Sequence, residues 1–163
     1  MLWGCFAAGG TGALHKIDGI MRKEIYVDIV KQHLKTSVRK LKLGRKWFFQ
    51  MDNDPKHTSK VVANWLKDNK SRYWSGPDLN PIENVWAELK MRVRARRPTN
   101  LTQLHQLCQE EWAKIHPTYC GKLVEGYPKH LTQVKQFKGN ATKYELSVCT
   151  LLTHWECDEI NKS

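Results

Sequence analysis

The sequence is short of acid. Against 27 Lys and Arg it has only 16 Asp and Glu, for a net charge of +11 over 163 residues. A domain this basic usually meets a polyanion, and nucleic acid is the commonest one. It also lacks any run of about 18 apolar residues, so nothing in it would span a membrane. The N-terminus has neither the charged start nor the apolar stretch of a signal peptide. Cysteines are few and scattered: Cys5, Cys108, Cys120, Cys149 and Cys157. No pair has zinc-ligand spacing, and an odd count argues against a disulfide framework, so reduced thiols are expected. There is no P-loop, no dinucleotide fingerprint, no nucleophile pair and no internal repeat. Those absences remove the common nucleotide-binding and covalent-catalysis classes and leave a single basic domain with a core of its own.

The pattern predicts an α/β chain. Residues 1–17 read as a β-hairpin, apolar from Met1 to Ala7, turning over residues 8–12 and returning through Ala13-Leu14-His15-Lys16-Ile17. A helix is expected over 22–41, with Ile25, Ile29, Leu34, Val38 and Leu41 on one face and Leu43-Gly44 as its stop. Residues 47–51 (Trp-Phe-Phe-Gln-Met) are apolar enough for a strand covered on both faces. A short helix should occupy 59–69 with Val61, Val62, Trp65 and Leu66 inward. Residues 71–74 are the only further strand candidate. The next helix opens at Asn80-Pro81-Ile82-Glu83, with Asn80 as N-cap and Pro81 in the first helical position. Its apolar stripe is Ile82, Val85, Trp86, Leu89 and Val93, and Pro98 ends it. Asn100 caps a helix over 101–115. A helical region over 118–137, interrupted near Gly126-Tyr127-Pro128, closes the patterned chain. From Tyr144 onward the period is lost, and residues 145–163 read as an appended tail.

The candidate chemistry gathers in residues 47–86. An apolar strand runs directly into Asp52-Asn53-Asp54-Pro55-Lys56-His57-Thr58. Carboxylates at the carboxyl edge of a central strand stand where α/β folds place ligands. Phosphoryl chemistry with two metal ions needs several such acids, and hard oxygen donors suit Mg²⁺. Asp52 has no local structural task. Asp54 and Asp78 also suit turns before and after proline. Glu83 lies three residues after Asn80 and equally suits a capping box. Lys56 and His57 read either as phosphate contacts or as ordinary loop residues. Lys90, Arg92, Arg94, Arg96 and Arg97 put five cations into eight residues. In so basic a chain that run reads as a phosphate-contacting stripe or a nuclear import signal.

Two motifs then carry a resemblance. Asp-Asn-Asp-Pro-Lys-His-Thr at 52–58 and Pro-Asp-Leu-Asn-Pro-Ile-Glu-Asn-Val-Trp at 77–86 are similar to the catalytic domain of mariner-superfamily transposases, closest to the Sleeping Beauty-type branch. Leu-Trp-Gly-Cys-Phe at 2–6, Gly-Gly-Thr-Gly at 9–12, Glu-Glu-Trp at 110–112 and Lys-Gly-Asn-Ala-Thr-Lys-Tyr at 138–144 support it. The resemblance spans residues 1–144. It implies an RNase H-like mixed sheet flanked by helices, a DDE/D site binding two Mg²⁺ or Mn²⁺, and DNA strand cleavage and transfer in the nucleus. It implies Asp52 and Glu83 as catalytic, metal-binding carboxylates and transposon ends and target DNA as partners, with a homodimer as the assembly open to it. Three departures from the family pattern stand out. The family's first catalytic Asp would lie upstream of Met1, on a strand with no counterpart in the sequence. The 30 residues between Asp52 and Glu83 are a few fewer than in this branch, which shortens a strand near 71–76. The tail after Tyr144 runs past the family's usual end. The expectation is therefore a transposase fragment that keeps nucleic-acid affinity and is not competent for strand chemistry alone. An active endonuclease and a degenerate product without function are the alternatives.

Overall fold

A computed structural model describes residues 1–45, 47–51, 54–55, 57–75, 81–134 and 148–151. Asp52, Asn53, Lys56, Asp78 and Asn80 lie outside the described residues, as does the chain after Leu151.

The chain begins with the expected hairpin, β1 (Leu2–Ala7) and β2 (Gly10–Lys16). Its turn is tighter than the glycine-rich sequence suggests. Ala7 pairs with Gly10, so only Ala8 and Gly9 form the loop, and Gly10 takes the positive φ of 125°. Helix α1 (Lys23–Lys40) follows, then β3 (Phe48–Met51), α2 (Lys60–Asp68) and β4 (Tyr73–Ser75). Helices α3 (Ile82–Ala95), α4 (Leu101–Lys114) and α5 (Pro117–Val134) come next, and a final strand, β5 (Val148–Leu151), ends the described chain.

The sheet order is β2-β1-β5-β3-β4. β1 pairs antiparallel with β2 and β5, whereas β3 pairs parallel with β4 and β5. The sheet is therefore mixed, with helices on both faces as the apolar strands require. The three-residue β4 fits the short strand expected there. β5 is the departure: a segment without readable period lies at the centre of the sheet and joins its two halves.

Alternation along β1 sends its side chains to two separate cores. Trp3, Cys5 and Ala7 join Tyr26, Val30, Leu34, Phe49, Val62 and Leu66 under α1 and α2. Leu2 and Phe6 join Ile82, Trp86, Leu89, Leu104 and Trp112 under α3, α4 and α5. Gly4 makes the second core possible. A Cβ there would sit 3.0–3.1 Å from the rings of Trp86 and Trp112, whose centroids are 5.1 Å apart. Gly12 does the same for the first, since its Cβ would meet Cys5 Sγ at 2.6 Å and Ser37 Oγ at 3.0 Å. Both helical layers then pin β2: the Ala13 N–H donates to Ser37 Oγ at 3.1 Å, and Trp112 Nε1 donates to the Gly12 carbonyl at 3.2 Å.

Helix stripes follow the sequence with local shifts. α1 buries Tyr26, Ile29, Val30, Leu34, Ser37 and Val38, leaving Ile25 38% exposed. Tyr26 takes the place expected for Ile25 because its ring stacks on buried His57, with centroids 4.1 Å apart. In α2, Val62 and Leu66 are buried while Val61 faces out. The stripe of α3 is buried throughout, as its spacing predicts. Asn100 caps α4 as expected, accepting from the Gln103 N–H at 2.8 Å. α5 continues through Gly126-Tyr127-Pro128 rather than breaking there.

Three helices end without glycine. Lys42, Lys70 and Arg97 adopt φ of 53°, 52° and 49° just past the C-caps of α1, α2 and α3. After α2 the Lys70 N–H bonds the Lys67 carbonyl and the Ser71 N–H the Leu66 carbonyl, a paired closure usually built on glycine. The same two-bond pattern closes α1 at Lys42 and Leu43, one residue ahead of the stop expected at Leu43-Gly44.

Candidate carboxylate site and basic surfaces

β3 delivers the acidic loop. Its residues Phe49, Gln50 and Met51 are buried, and Asp52 follows directly, so the chain leaves the sheet at the carboxyl end of a strand with parallel neighbours on both sides. The loop after it is held by one carbonyl. The backbone oxygen of Asp54 accepts from the N–H groups of His57 at 2.9 Å and Thr58 at 3.0 Å, and from Thr58 Oγ1 at 3.2 Å. This turn starts α2 behind Ser59 and leaves Asp54 half-buried. His57 points inward. It is 1% exposed and stacked on Tyr26, which makes it a packing group that fixes the loop on α1, with no solvent-facing edge for a phosphate.

α3 delivers Glu83. The helix starts at Ile82 with Pro81 as its N-cap, one residue later than the sequence predicts, so Glu83 is the second helical residue. Its side chain is exposed in the first turn, where the positive end of the helix dipole favours a carboxylate. Tyr119 of α5 secures that turn, its hydroxyl donating to the Asn84 carbonyl at 3.1 Å. Burial, then the nearby Glu88 carboxylate, raises the Tyr119 phenol above its ordinary pKa. Nothing local in the sequence marks Tyr119, since its partner lies 35 residues away.

The stripe at the end of α3 divides. Arg92 Nε donates to Glu88 Oε1 at 2.7 Å. Arg96 bridges to α4, pairing with Glu110 at 2.5 Å and Glu111 at 3.0 Å. Lys114 pairs with the same Glu111 at 3.0 Å, and only 9% of the Glu111 side chain is exposed. Lys114 and then Arg96 hold the Glu111 carboxyl below its ordinary range, while Arg96 does so for Glu110. The carboxylates in turn raise the Arg96 guanidinium. Arg92 and Arg96 thus have partners within the protein. Lys90 is half-buried, and Arg94 and Arg97 are exposed.

Cys5, Cys108 and Cys120 are buried and not joined in disulfides. Burial pushes Cys120 up to about 11, which leaves it an inert packing group at neutral pH. Among the described residues no three His, Cys, Asp or Glu side chains form a metal-holding cluster. Asp52 lies outside that description. No described helix is long and apolar enough to cross a membrane.

The profile of DDE superfamily endonucleases matches residues 2–105, which include β1 through the start of α4 and both acidic motifs. The chain belongs to the DDE superfamily endonucleases. Within that superfamily its relatives are transposases of the Tc1/mariner type. It is 40% identical over 148 residues to the Tcb1 transposase of Caenorhabditis briggsae and 34% identical to the Tc1 transposase of Caenorhabditis elegans. Each alignment covers 88% of this chain and 54% of the relative, so the chain spans about half the length of the curated relatives it matches. The fold is similar to that of the Mos1 transposase catalytic domain, solved with raltegravir and Mg, at a TM-score of 0.66 and 15% identity. That likeness covers 85% of this chain and 76% of the other. The DDE chain therefore has the RNase H-like architecture expected of it.

Proposed function

We propose that this DDE chain is a transposase catalytic-domain segment that binds DNA and does not cut or join it unaided. The match over residues 2–105 carries this reading, because it takes in the loop after β3 and the first turn of α3 together. Asp52 and Glu83 are the residues that would hold divalent cations, Mg²⁺ or Mn²⁺, in such a site. Both are hard oxygen donors, one from a strand end and one exposed in a helix's first turn. When bound, such ions supply Lewis-acid stabilisation of the attacking and leaving oxygens in phosphodiester chemistry.

The chain's own residues contribute position. The Asp54 carbonyl turn and the His57–Tyr26 stack fix the start of α2 just after the first acidic motif begins in sequence, and Tyr119 holds the turn that carries Glu83. Of the basic stripe, Lys90, Arg94 and Arg97 are the side chains proposed to meet phosphate. The same stripe is proposed to direct the chain to the nucleus.

The test combines binding and cleavage. Binding of element-end duplex should weaken steeply with salt and show little sequence preference. Nicking in Mg²⁺ or Mn²⁺ should equal that of Asp52→Ala. Metal-dependent nicking that Asp52→Ala abolishes would replace this reading with an active endonuclease. Absence of binding at low salt would leave a folded chain without DNA function.

A further inference from the structure

Between Asp28 and Asp52 the sequence has seven Lys or Arg and no acid. In the structure this stretch does not spread over one helix face. The last turns of α1, the end of α2 and Trp47 at the entry to β3 enclose an open cleft of about 440 Å³. Lys35, Arg39 and Lys70 line it together with Trp47, Asn69 and Ser71, and among the described residues no carboxylate lines it. Such a volume is in the range of small-ligand clefts, about 300–1,000 Å³. Because Trp47 precedes β3, the cleft opens at the amino end of the strand whose carboxyl end leads to Asp52.

The cations are positioned, and among the described residues no carboxylate pairs with them. Lys35 Nζ donates to Asn69 Oδ1 at 2.8 Å, and Asn69 Nδ2 donates to the Trp65 carbonyl at 2.9 Å. Arg39 Nε makes a 3.4 Å bond to the Lys35 carbonyl, and among the described residues its guanidinium has no carboxylate. Lys70 stands at φ 52°, where glycine would be less strained. Trp47 is half-buried, packed on the first core with part of its ring lining the cleft. The contrast with α3 is plain, since Arg92 and Arg96 there are paired with glutamates.

We infer that this cleft binds single-stranded nucleic acid, with backbone phosphates on Lys35, Arg39 and Lys70 and a base against Trp47. Cations that track a backbone beside an aromatic face are the recurring means of gripping an unpaired strand. The inference rests on the reading that the chain engages DNA, but it uses none of that site's residues.

The test measures anisotropy of a labelled oligothymidylate of about eight nucleotides, a length within the usual range of single-strand sites. The full 163-residue chain is titrated over a salt series. Three phosphate contacts predict a log–log salt slope of about −2. The triple variant Lys35→Gln, Arg39→Gln, Lys70→Gly should bind at least about tenfold more weakly and lose most of that slope. Trp47→Phe should bind while losing most of the indole quenching. Lys70→Gly alone should raise the thermal midpoint yet weaken binding, a split that misfolding cannot produce. Asp52→Ala should leave all of this unchanged. A folded triple variant that binds the oligomer like wild type overturns the proposal, as does a wild-type chain that binds duplex but not the oligomer. Loss of duplex and oligomer binding together in wild type would instead overturn the DNA reading itself.

Discussion

β5 should decide whether this chain has one sheet or two. Its register pairs Cys5 and Phe6 of β1 on one side and Phe48, Phe49 and Gln50 of β3 on the other. Without it β1–β2 and β3–β4 are separate two-stranded ribbons, and such ribbons are marginal alone. The five cross-strand pairs bring roughly one hydrogen bond each at a net of about 0.5–1.5 kcal/mol, so their loss costs about 3–7 kcal/mol. A domain of this size has only about 5–15 kcal/mol in total. A chain ending at Val134 should therefore unfold at a much lower urea midpoint and with a smaller m-value, since less surface is folded to begin with. Thr150→Pro tests the same point in the full-length chain. A proline in a central strand removes a ladder N–H and should cost about 3 kcal/mol or more. A chain ending at Leu151 keeps β5 and serves as the control. The assay is urea denaturation followed by far-UV circular dichroism. If the chain ending at Val134 has the midpoint and m-value of the control, β5 is not part of the cooperative sheet and the argument fails.

Three further outcomes follow from particular contacts. Gly12→Ala puts a methyl 2.6 Å from Cys5 Sγ and 3.0 Å from Ser37 inside the first core, and should cost about 1–3 kcal/mol by urea denaturation; an unchanged midpoint would show that β2 moves away freely. Arg96→Met removes the tie between α3 and α4 and should lower the midpoint at neutral pH. Because Glu111 and Glu110 are held below their ordinary value of 4.5, the pairing is fully present above it and lost as pH falls through their folded values, so wild type and variant should converge in acid; a gap that persists there would refute the charge argument. His33 Nε2 lies 2.9 Å from His15 Nδ1, and burial, then the His15 ring, lowers the His33 pKa below 6.5. The unfolded chain thus takes up the proton first, so this contribution is intact above pH 6.5 and declines as pH falls from there toward the folded value; His33→Gln should flatten that part of the stability profile.

Where the sequence was legible, a local rule and a tertiary demand agreed. The β1–β2 hairpin follows from an apolar strand and a glycine turn. The stripe of α3 needs only the helical period, and the Asn100 cap needs only residues 100–103. The acidic motifs could be placed after a strand and in a first helical turn for the same reason. What the sequence could not show depends on partners far along the chain. Tyr26 displaces Ile25 from the buried stripe because His57 lies across from it. Arg96 looked free because its glutamates are 14 and 15 residues away on another helix. Val-Cys-Thr-Leu has no signal that outweighs its lack of period, and its strand partners are near positions 5 and 49.

The same logic revises where the positive charge of this chain is available. In the sequence the densest basic run, over 90–97, is the natural candidate for phosphate. Folding spends Arg92 and Arg96 on glutamates. The stretch between Asp28 and Asp52 is less dense, but it contains no acid of its own, although Lys31 pairs with Asp28 at 3.5 Å, and Lys70 joins it from the end of α2. Counting cations marks the first region. Counting the acids that reach them in the fold marks the second. Net charge of +11 is consistent with either surface, so it cannot choose between them. Salt dependence measured on variants of each surface can, because every phosphate contact removed takes a fixed share of the slope with it.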